Sequence, residues 1–377
     1  MKFTQLSLVA ALAVSSAFAG GDIAPVAPAV PAPVTTDCNK ATTIAGKLTA
    51  YYITNDASDT NDMFSQEASQ LALAATLDVA HKVNDFVTLN FSAIGYLNTL
   101  KQENLMYMEG DKRGAIFNVA NATFTYEDTT FVAGRQLLDT PMLGSFDWLL
   151  APSSFEAYTL VNSSIENVTL VGSYVAKWRQ NNTGDNFLNL ADNGDNYAFG
   201  AVYDDKTLNA SVWYYNVDAA SYTQVYVDAG YNFGMAKVDA QYVATDYDAG
   251  EDATAYGVKV SGSVSGFDVY AAYNAIQDNA TGYVGVDSLY TSSWNTFASS
   301  TYNEDVDAFK VGASTTISGV AAELSYADYD QGNEFDLILG YDITSTVDAG
   351  LVFTSTTANE DDADAVNALE IYANYKF

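Results

Sequence analysis

The charged residues around one apolar segment of this chain are suited to sorting ions rather than to breaking bonds. Asp139 and Asp147 lie in the segment 138–155, which also contains Pro141 and Pro152. A segment this apolar, stiffened by prolines, is expected to fold inward and pack on the wall of the protein. There the two carboxylates would face passing ions. The alternative interpretation is a surface loop or an additional helical turn.

The sequence offers few residues that could carry out bond-making chemistry. His81 is the only histidine, so the chain has no histidine cluster for zinc and no obvious Ser-His-Asp set. Cys38 is the only cysteine, which excludes an intramolecular disulfide framework. A lipase or protease would need a nucleophile and a base close together, and no such pair stands out. We therefore expect no enzyme and no metal site.

The elements that position the charges are strand-like runs with a period of two. In 86–97, Val87, Leu89 and Phe91 share one face, while Thr88 and Asn90 occupy the other. The same alternation recurs along the chain and is typical of a membrane β-barrel with an apolar outside and a polar inside. No later segment approaches the roughly 20 apolar residues of a spanning helix. The predicted fold class is therefore all-β, a transmembrane antiparallel barrel.

Counting the alternating runs predicts eighteen strands, with sixteen as the alternative. Short turns such as 82–85 and 265–266 alternate with mostly longer loops such as 98–114, 179–194 and 277–303. Short periplasmic turns and long outer loops are the expected asymmetry of such barrels. Sixteen to eighteen strands leave an aqueous channel, whereas eight are filled by their own side chains.

The two ends of the chain indicate export and insertion. Residues 1–19 have a positive start, an apolar run and an A-x-A site, which predicts a cleaved signal peptide. Residues 20–40 are rich in Ala and Pro and predict a periplasmic linker, and 41–377 are predicted to be the barrel domain. The last run, 369–377, alternates apolar and polar residues up to Phe377, as in a barrel-closing strand. The expected location is the outer membrane of a Gram-negative cell.

The segment around the apolar loop resembles a known family. Gly134-Arg135-Gln136, Asp139-Thr140-Pro141 and the run from Asp147 to Ala157 are similar to the strand and third loop of OprD-like outer-membrane porins, in the branch of the major outer-membrane proteins. The strong match covers about 130–178. The resemblance implies an eighteen-stranded channel, narrowed by an inward-folded third extracellular loop that faces a ladder of basic residues. With three arginines in the chain, this ladder would be thinner and richer in lysine.

The candidate site residues follow from the loop, the resemblance and strand parity. Lysine or arginine facing lipid at mid-membrane costs about 2–4 kcal/mol, so the basic residues are predicted to point inward. The predicted pore constriction consists of Arg135, Asp139, Asp147, Glu156 and Lys177, and the predicted pore-lining basic residues are Lys47, Lys259 and Lys310.

Charge balance suggests which ions would pass. The net charge is −32, which argues against nucleic-acid binding. Acidic clusters such as 56–62 and 246–252 form an expected negative outer rim. Since salt screens charges beyond about 8–10 Å, the constriction should outweigh the total charge. Its acids, joined by Glu323 and Asp336, favour mild cation selectivity.

The predicted function is an outer-membrane porin for passive diffusion of ions and small hydrophilic solutes. The alternative is a surface structural protein or adhesin that acts through long loops such as 179–194 and 277–303. No cofactor is expected, although calcium at the acidic loops is a minor alternative. The expected partners are outer-membrane lipid and lipopolysaccharide, small hydrophilic solutes, and the barrel-assembly machinery at the strand ending in Phe377. A homotrimer is compatible with the resemblance.

Overall fold

The computed structural model describes residues 41–57, 62–100, 108–298, 305–358 and 364–377. The predicted signal peptide, the predicted linker and Cys38 lie outside the described residues.

Nineteen strands account for nearly all regular structure in these ranges. They are β1 (Thr42–Asn55), β2 (Ser69–Lys82), β3 (Val87–Leu100), β4 (Arg113–Tyr126), β5 (Thr129–Gln136), β6 (Ser154–Ile165), β7 (Val168–Arg179), β8 (Leu188–Asn189), β9 (Asn196–Asp204), β10 (Leu208–Val217), β11 (Tyr222–Asn232), β12 (Ala236–Tyr247), β13 (Ala253–Val264), β14 (Phe267–Gln277), β15 (Val306–Ile317), β16 (Val320–Tyr329), β17 (Gly332–Thr344), β18 (Val347–Ala358) and β19 (Val366–Lys376).

Eighteen of these strands close into one antiparallel barrel. Each pairs with its neighbour in sequence, and β1 pairs with both β2 and β19. β7 pairs directly with β9, so the two-residue β8, which pairs with the end of β7, is not counted among the eighteen wall strands. Closure leaves no open sheet edge, which satisfies the backbone groups of every strand. The predicted all-β barrel of eighteen strands is confirmed.

The wall separates apolar and polar side chains as the period of two predicts. On β15, Phe309 and Val311 are exposed on the outside, while Lys310 between them is buried inside. On β19, Ile371 is exposed and Glu370 is buried. An apolar outer face suits lipid, and a polar inner face suits water.

The two ends of the barrel differ. At one end, here called the turn end, short turns such as 265–266 and 318–319 connect the strands, with left-handed residues such as Ser265 and Ser318 making the reversals. At the other, the loop end, the third connection spans 137–153 and the seventh spans 278–305. We call these the third loop and the seventh loop.

Helical structure among the described residues is limited to two short 3-10 turns, Ala191–Asn193 and Asp218–Ala220. Within those ranges no helix has the length and apolar character needed to cross a membrane.

Candidate functional site

The inner wall carries charges of both signs, and acidic side chains outnumber basic ones. Each charged residue alternates along its strand with residues that face outward, such as Phe335 beside Asp336. The acidic members are Asp78, Asp228, Asp239, Glu323, Glu334, Asp336, Asp348 and Glu370, and the basic members are Lys47, Lys237, Lys259, Lys310 and Lys376.

The third loop crosses the interior from one wall to the opposite one. The backbone N–H of Met142 donates to the hydroxyl of Tyr215 on β10 at 3.3 Å. The indole Nε1 of Trp148 donates to the carboxylate of Glu370 on β19 at 3.3 Å. Because β10 and β19 lie nine strands apart in either direction around the barrel, these contacts are on opposite sides.

The third loop is folded on itself as well as on the wall. The backbone N–H of Ser145 donates to the carbonyl of Leu138 at 2.7 Å, and that of Ser153 to the carbonyl of Phe146 at 2.9 Å. The side chains of Leu138, Met142, Leu143 and Leu150 are buried. The apolar side chains from which inward folding was predicted are thus buried inside the barrel.

The seventh loop also lies inside, along a wider arc of the wall. Gln224 donates to the carbonyl of Thr281 at 2.7 Å, and Tyr329 donates to that of Thr291 at 2.7 Å. Both threonines are fully buried. Lys310 donates to the carbonyl of Ser292 at 2.7 Å, so the seventh loop is held by donors from three strands.

Carboxylates of the wall accept hydrogen bonds from the seventh loop. Glu334 accepts from the backbone N–H of Asn295 at 2.7 Å, and Asp336 from that of Trp294 at 3.4 Å. Both carboxylates are buried. The inner charges of β15 and β17 therefore hold a loop in place.

The third and seventh loops meet in the interior. Val284 donates its backbone N–H to the carbonyl of Met142 at 2.9 Å, and the ring of Phe146 packs edge-on against Phe297 with centroids 5.6 Å apart. Glu370 joins both loops to the wall, since Trp148 of the third loop and Trp294 of the seventh loop both donate to it. Tyr51 donates to the same carboxylate.

The inward position of the seventh loop differs from the sequence-based interpretation, which counted 277–303 among long outer loops. Its Asn, Ser and Thr side chains suggested a hydrated segment, but many of them bond to the inner wall. The large apolar residues Leu289, Tyr290, Trp294 and Phe297 are the signal that could have revealed this. The described part of that loop is therefore not an exposed surface through which an adhesin could act.

Several predicted site residues do lie inside. Lys47 shares its face with the buried Thr49, and the Nζ of Lys259 lies 5.3 Å from the ring centre of Tyr290. Lys310 is buried against the seventh loop. Asp139 and Asp147 are half-buried in the third loop. Burial raises the pKa of Asp147, and the nearby Lys47 ammonium opposes this rise.

Three predicted constriction residues lie elsewhere, on outward-facing positions. Glu156 lies between the buried Phe155 and Ala157 and is the cross-strand partner of both Arg135 and Lys177. Cross-strand partners share a face, so all three point away from the lumen.

Two causes explain why parity misplaced these residues. On β5 the exposed residue is Phe131 rather than Val132, and Arg135 and its partner Glu156 continue the outward face of Phe131 and Tyr158 without a break in register. For Lys177 the cause is a bulge, since the β6–β7 register shifts between Glu156 and Ala157. On the outer face, Arg135 bonds to Asp185 at 3.0 Å and lies 4.0 Å from the ring centre of Phe187. Lys177 pairs with Glu156 at 3.0 Å.

Sequence reasoning did not single out Glu334, Glu370 or Arg179. Glu334 and Glu370 occupy polar positions of alternating runs. The sequence alone does not distinguish an inward carboxylate that bonds to a loop from one that faces the lumen. Arg179 ends β7 and is fully buried, and nothing in its local sequence indicates this. Among the described residues, no group of three His, Cys, Asp or Glu side chains is placed to hold a metal ion.

Comparison with known proteins gives similarity in structure only. No protein-family model and no curated protein matches the chain. The outer membrane protein OpdK from Pseudomonas aeruginosa superposes with a TM-score of 0.74 at 15% identity, covering 89% of this chain and 98% of OpdK. OccAB4 from Acinetobacter baumannii gives a TM-score of 0.74 at 14% identity, covering 90% of this chain and 99% of OccAB4.

A third similar structure, OccD3 (OpdP) from Pseudomonas aeruginosa, has a TM-score of 0.71 at 14% identity, with 90% of this chain and 91% of OccD3 covered. At such identities the likeness establishes the fold, and it extends over almost the full length of each of these proteins. The predicted resemblance to OprD-like proteins is confirmed at the level of the fold: the chain shares the barrel fold of these three proteins.

Proposed function

We propose that this protein is an outer-membrane porin, a water-filled channel for passive diffusion of ions and small hydrophilic solutes. The observation that carries the proposal is the closed eighteen-strand wall with apolar residues outside and charged residues inside. A barrel of this strand number is too wide for its own side chains to fill. The likeness to the outer membrane protein OpdK supports the same location.

The mechanism needs no bond making. A solute moves down its concentration gradient, and the third and seventh loops limit its size where they meet at Phe146 and Phe297. Both rings are only partly buried, so their remaining surface is available to line the passage. Sieving by packed loops combined with charges on the wall is a common basis of selectivity in channels.

Mild cation preference is part of this proposal. Acidic residues outnumber basic ones on the inner wall, and Asp147 of the third loop adds a carboxylate there. Among the inward lysines, Lys237 and Lys376 pair with Asp239 and Asp348 at 2.7 Å and 2.8 Å. Each pair cancels one positive and one negative charge, so the excess of acidic over basic side chains on the inner wall remains and makes the field inside the barrel negative.

The test is a reversal-potential measurement on the refolded, heat-modifiable protein in a planar bilayer with a salt gradient. We expect discrete conductance steps and a reversal potential on the cation side. Asp147→Asn should reduce the preference, while Asp192→Asn in an exposed outer turn should leave it nearly unchanged because of screening over about 8 Å. Since burial raises the pKa of Asp147, acidification should weaken the preference before exposed aspartates titrate.

Two results would contradict the proposal in different ways. A reversal potential on the anion side would reject the cation preference alone. A folded barrel with no conductance would reject the channel, and the surface-protein alternative would then explain the fold better.

A further inference from the structure

A fully buried arginine lies where three loops of the loop end converge. The guanidinium of Arg179 donates to the carbonyls of Pro152 at 2.8 Å and Ala151 at 3.1 Å, both in the third loop. It also donates to the carbonyl of Gly184 at 3.1 Å and to the carboxylate of Glu109 at 3.4 Å. Glu109 is fully buried as well.

A second side chain from the same chain segment holds the third loop further along. The side-chain amide of Asn181 donates to three carbonyls of that loop, those of Phe146 at 3.2 Å, Trp148 at 2.9 Å and Ala151 at 2.8 Å. Arg179 and Asn181 thus bind the backbone of the third loop between residues 146 and 152. The same part of the loop reaches the opposite wall through Trp148, which donates to Glu370, whereas the contact with Tyr215 is made by Met142.

We propose that Arg179 and Asn181, together with Glu109, form a latch that holds the third loop across the lumen and so sets how steadily the channel conducts. The inference rests on the proposed channel function. Arg179 and Asn181 are positioning residues, since they act through the third loop rather than on the solute.

The latch contains a titratable group, Glu109, with ionisable groups from several elements around it. Its carboxylate accepts from Arg179 of β7, and Tyr96 of β3 donates its hydroxyl to the Glu109 carbonyl at 3.3 Å. Asp111, which pairs with Glu109 through the backbone, acts on the same Tyr96. Asp185 of the fourth connection acts on Glu109 through Arg179. Burial raises the pKa of Glu109 from 4.5 to about 7, although Arg179 opposes the rise.

The direction of the pH effect follows from this shift. When the latch opens and Glu109 reaches water, its pKa returns toward 4.5, so the closed latch binds the proton more tightly. Acid therefore favours the closed latch, and raising the pH through about 7 favours the open one. The five acceptors around Arg179 besides Glu109 keep the guanidinium bonded when Glu109 is neutral.

The experiment is limited chymotrypsin cleavage of the folded barrel at the aromatic residues of the third loop, with single-channel recording in parallel. Asn181→Ala removes three hydrogen bonds without leaving a buried charge, and cleavage should become at least about tenfold faster. Arg179→Met should have a larger effect, and both variants should convert steady current into flicker. Arg113→Met removes an exposed arginine and is the matched control.

Glu109→Gln tests the pH-sensitive part. In the wild type, cleavage and flicker should increase as the pH rises from 5 to 8, whereas Glu109→Gln should behave at every pH like the wild type in acid. Wild-type cleavage rates in Asn181→Ala would overturn the latch, and so would an unchanged pH profile in Glu109→Gln. If Arg179→Met does not fold, the cleavage rate of Asn181→Ala still tests the latch.

Cleavage does not require conductance, so the two proposals fail separately. A folded wild type that never conducts rejects the channel, while the cleavage rates continue to test the latch.

Discussion

The third and seventh loops reach the same part of the lumen, but the barrel holds them differently. The third loop is bound at 146–152 by two residues of one short segment, Arg179 and Asn181, and it also contacts the wall at Tyr215 and Glu370. The described part of the seventh loop, up to residue 298, is bound at several points by side chains of different strands, both donors and carboxylate acceptors. The third loop is therefore the one whose position a local change can alter.

This difference also assigns roles to the charges of the wall. Lys310 and Glu334 are inward and charged, and a solute passing through would be expected to meet them. Instead they bond to Ser292 and Asn295 of the seventh loop. Much of the inner charge on β15 and β17 consequently serves to fix a loop, and we expect the proposed selectivity to depend more on Asp147 and on the inward charges that the loops do not contact.

The largest effect is expected for Lys310→Met. The substitution leaves the Ser292 carbonyl without its donor and removes the ammonium that acts with Glu323, Glu334 and Asp336. Removing one partner from a buried group of charges costs about 3–5 kcal/mol. The barrel should unfold at a lower urea concentration and at a lower temperature in a heat-modifiability assay.

Lys177→Met is the matched control, because it removes the same group from the outer face. If Lys310→Met unfolds no more easily than Lys177→Met, the seventh loop does not depend on the inner charge.

A smaller effect is expected for Glu370→Gln, which affects both loops at once. The carboxylate accepts hydrogen bonds from Tyr51, Trp148 and Trp294, and a glutamine amide cannot accept from all three. An unsatisfied buried donor costs about 1–3 kcal/mol. Acrylamide should quench tryptophan fluorescence more strongly in the folded variant.

Glu156→Gln, on the outer face, should leave quenching unchanged. Equal quenching in Glu370→Gln and in the wild type would mean that this carboxylate does not hold the two loops.

The fold could be predicted from the sequence because each strand repeats one simple pattern. An outward Phe309, an inward Lys310 and an outward Val311 are enough to mark a strand and its faces. The third loop was also recognisable, since its apolar residues and prolines are unusual for an exposed connection.

The placement of individual site residues was harder to predict, because a strand can carry apolar residues on both faces and because a bulge reverses the parity. Val132 suggested the wrong outward face for β5, where the exposed residue is Phe131, and the bulge opposite Glu156 turned Lys177 outward. The seventh loop was missed for another reason. Its polar residues suit water and a polar inner wall equally well.

The smallest effect is expected for Lys177→Gln, and it provides the reference for both loops. Lys177 and Glu156 lie 3.0 Å apart with each side chain about a third exposed. Such exposed pairs contribute about 0–1 kcal/mol, so stability should hardly change. Because the pair is on the outer face, the reversal potential should not move, whereas removing the inward Asp147 carboxylate should shift it. A shift in Lys177→Gln as large as that in Asp147→Asn would mean that Lys177 acts on passing ions after all, and the passage would then have to run along β6 and β7 rather than between the two loops.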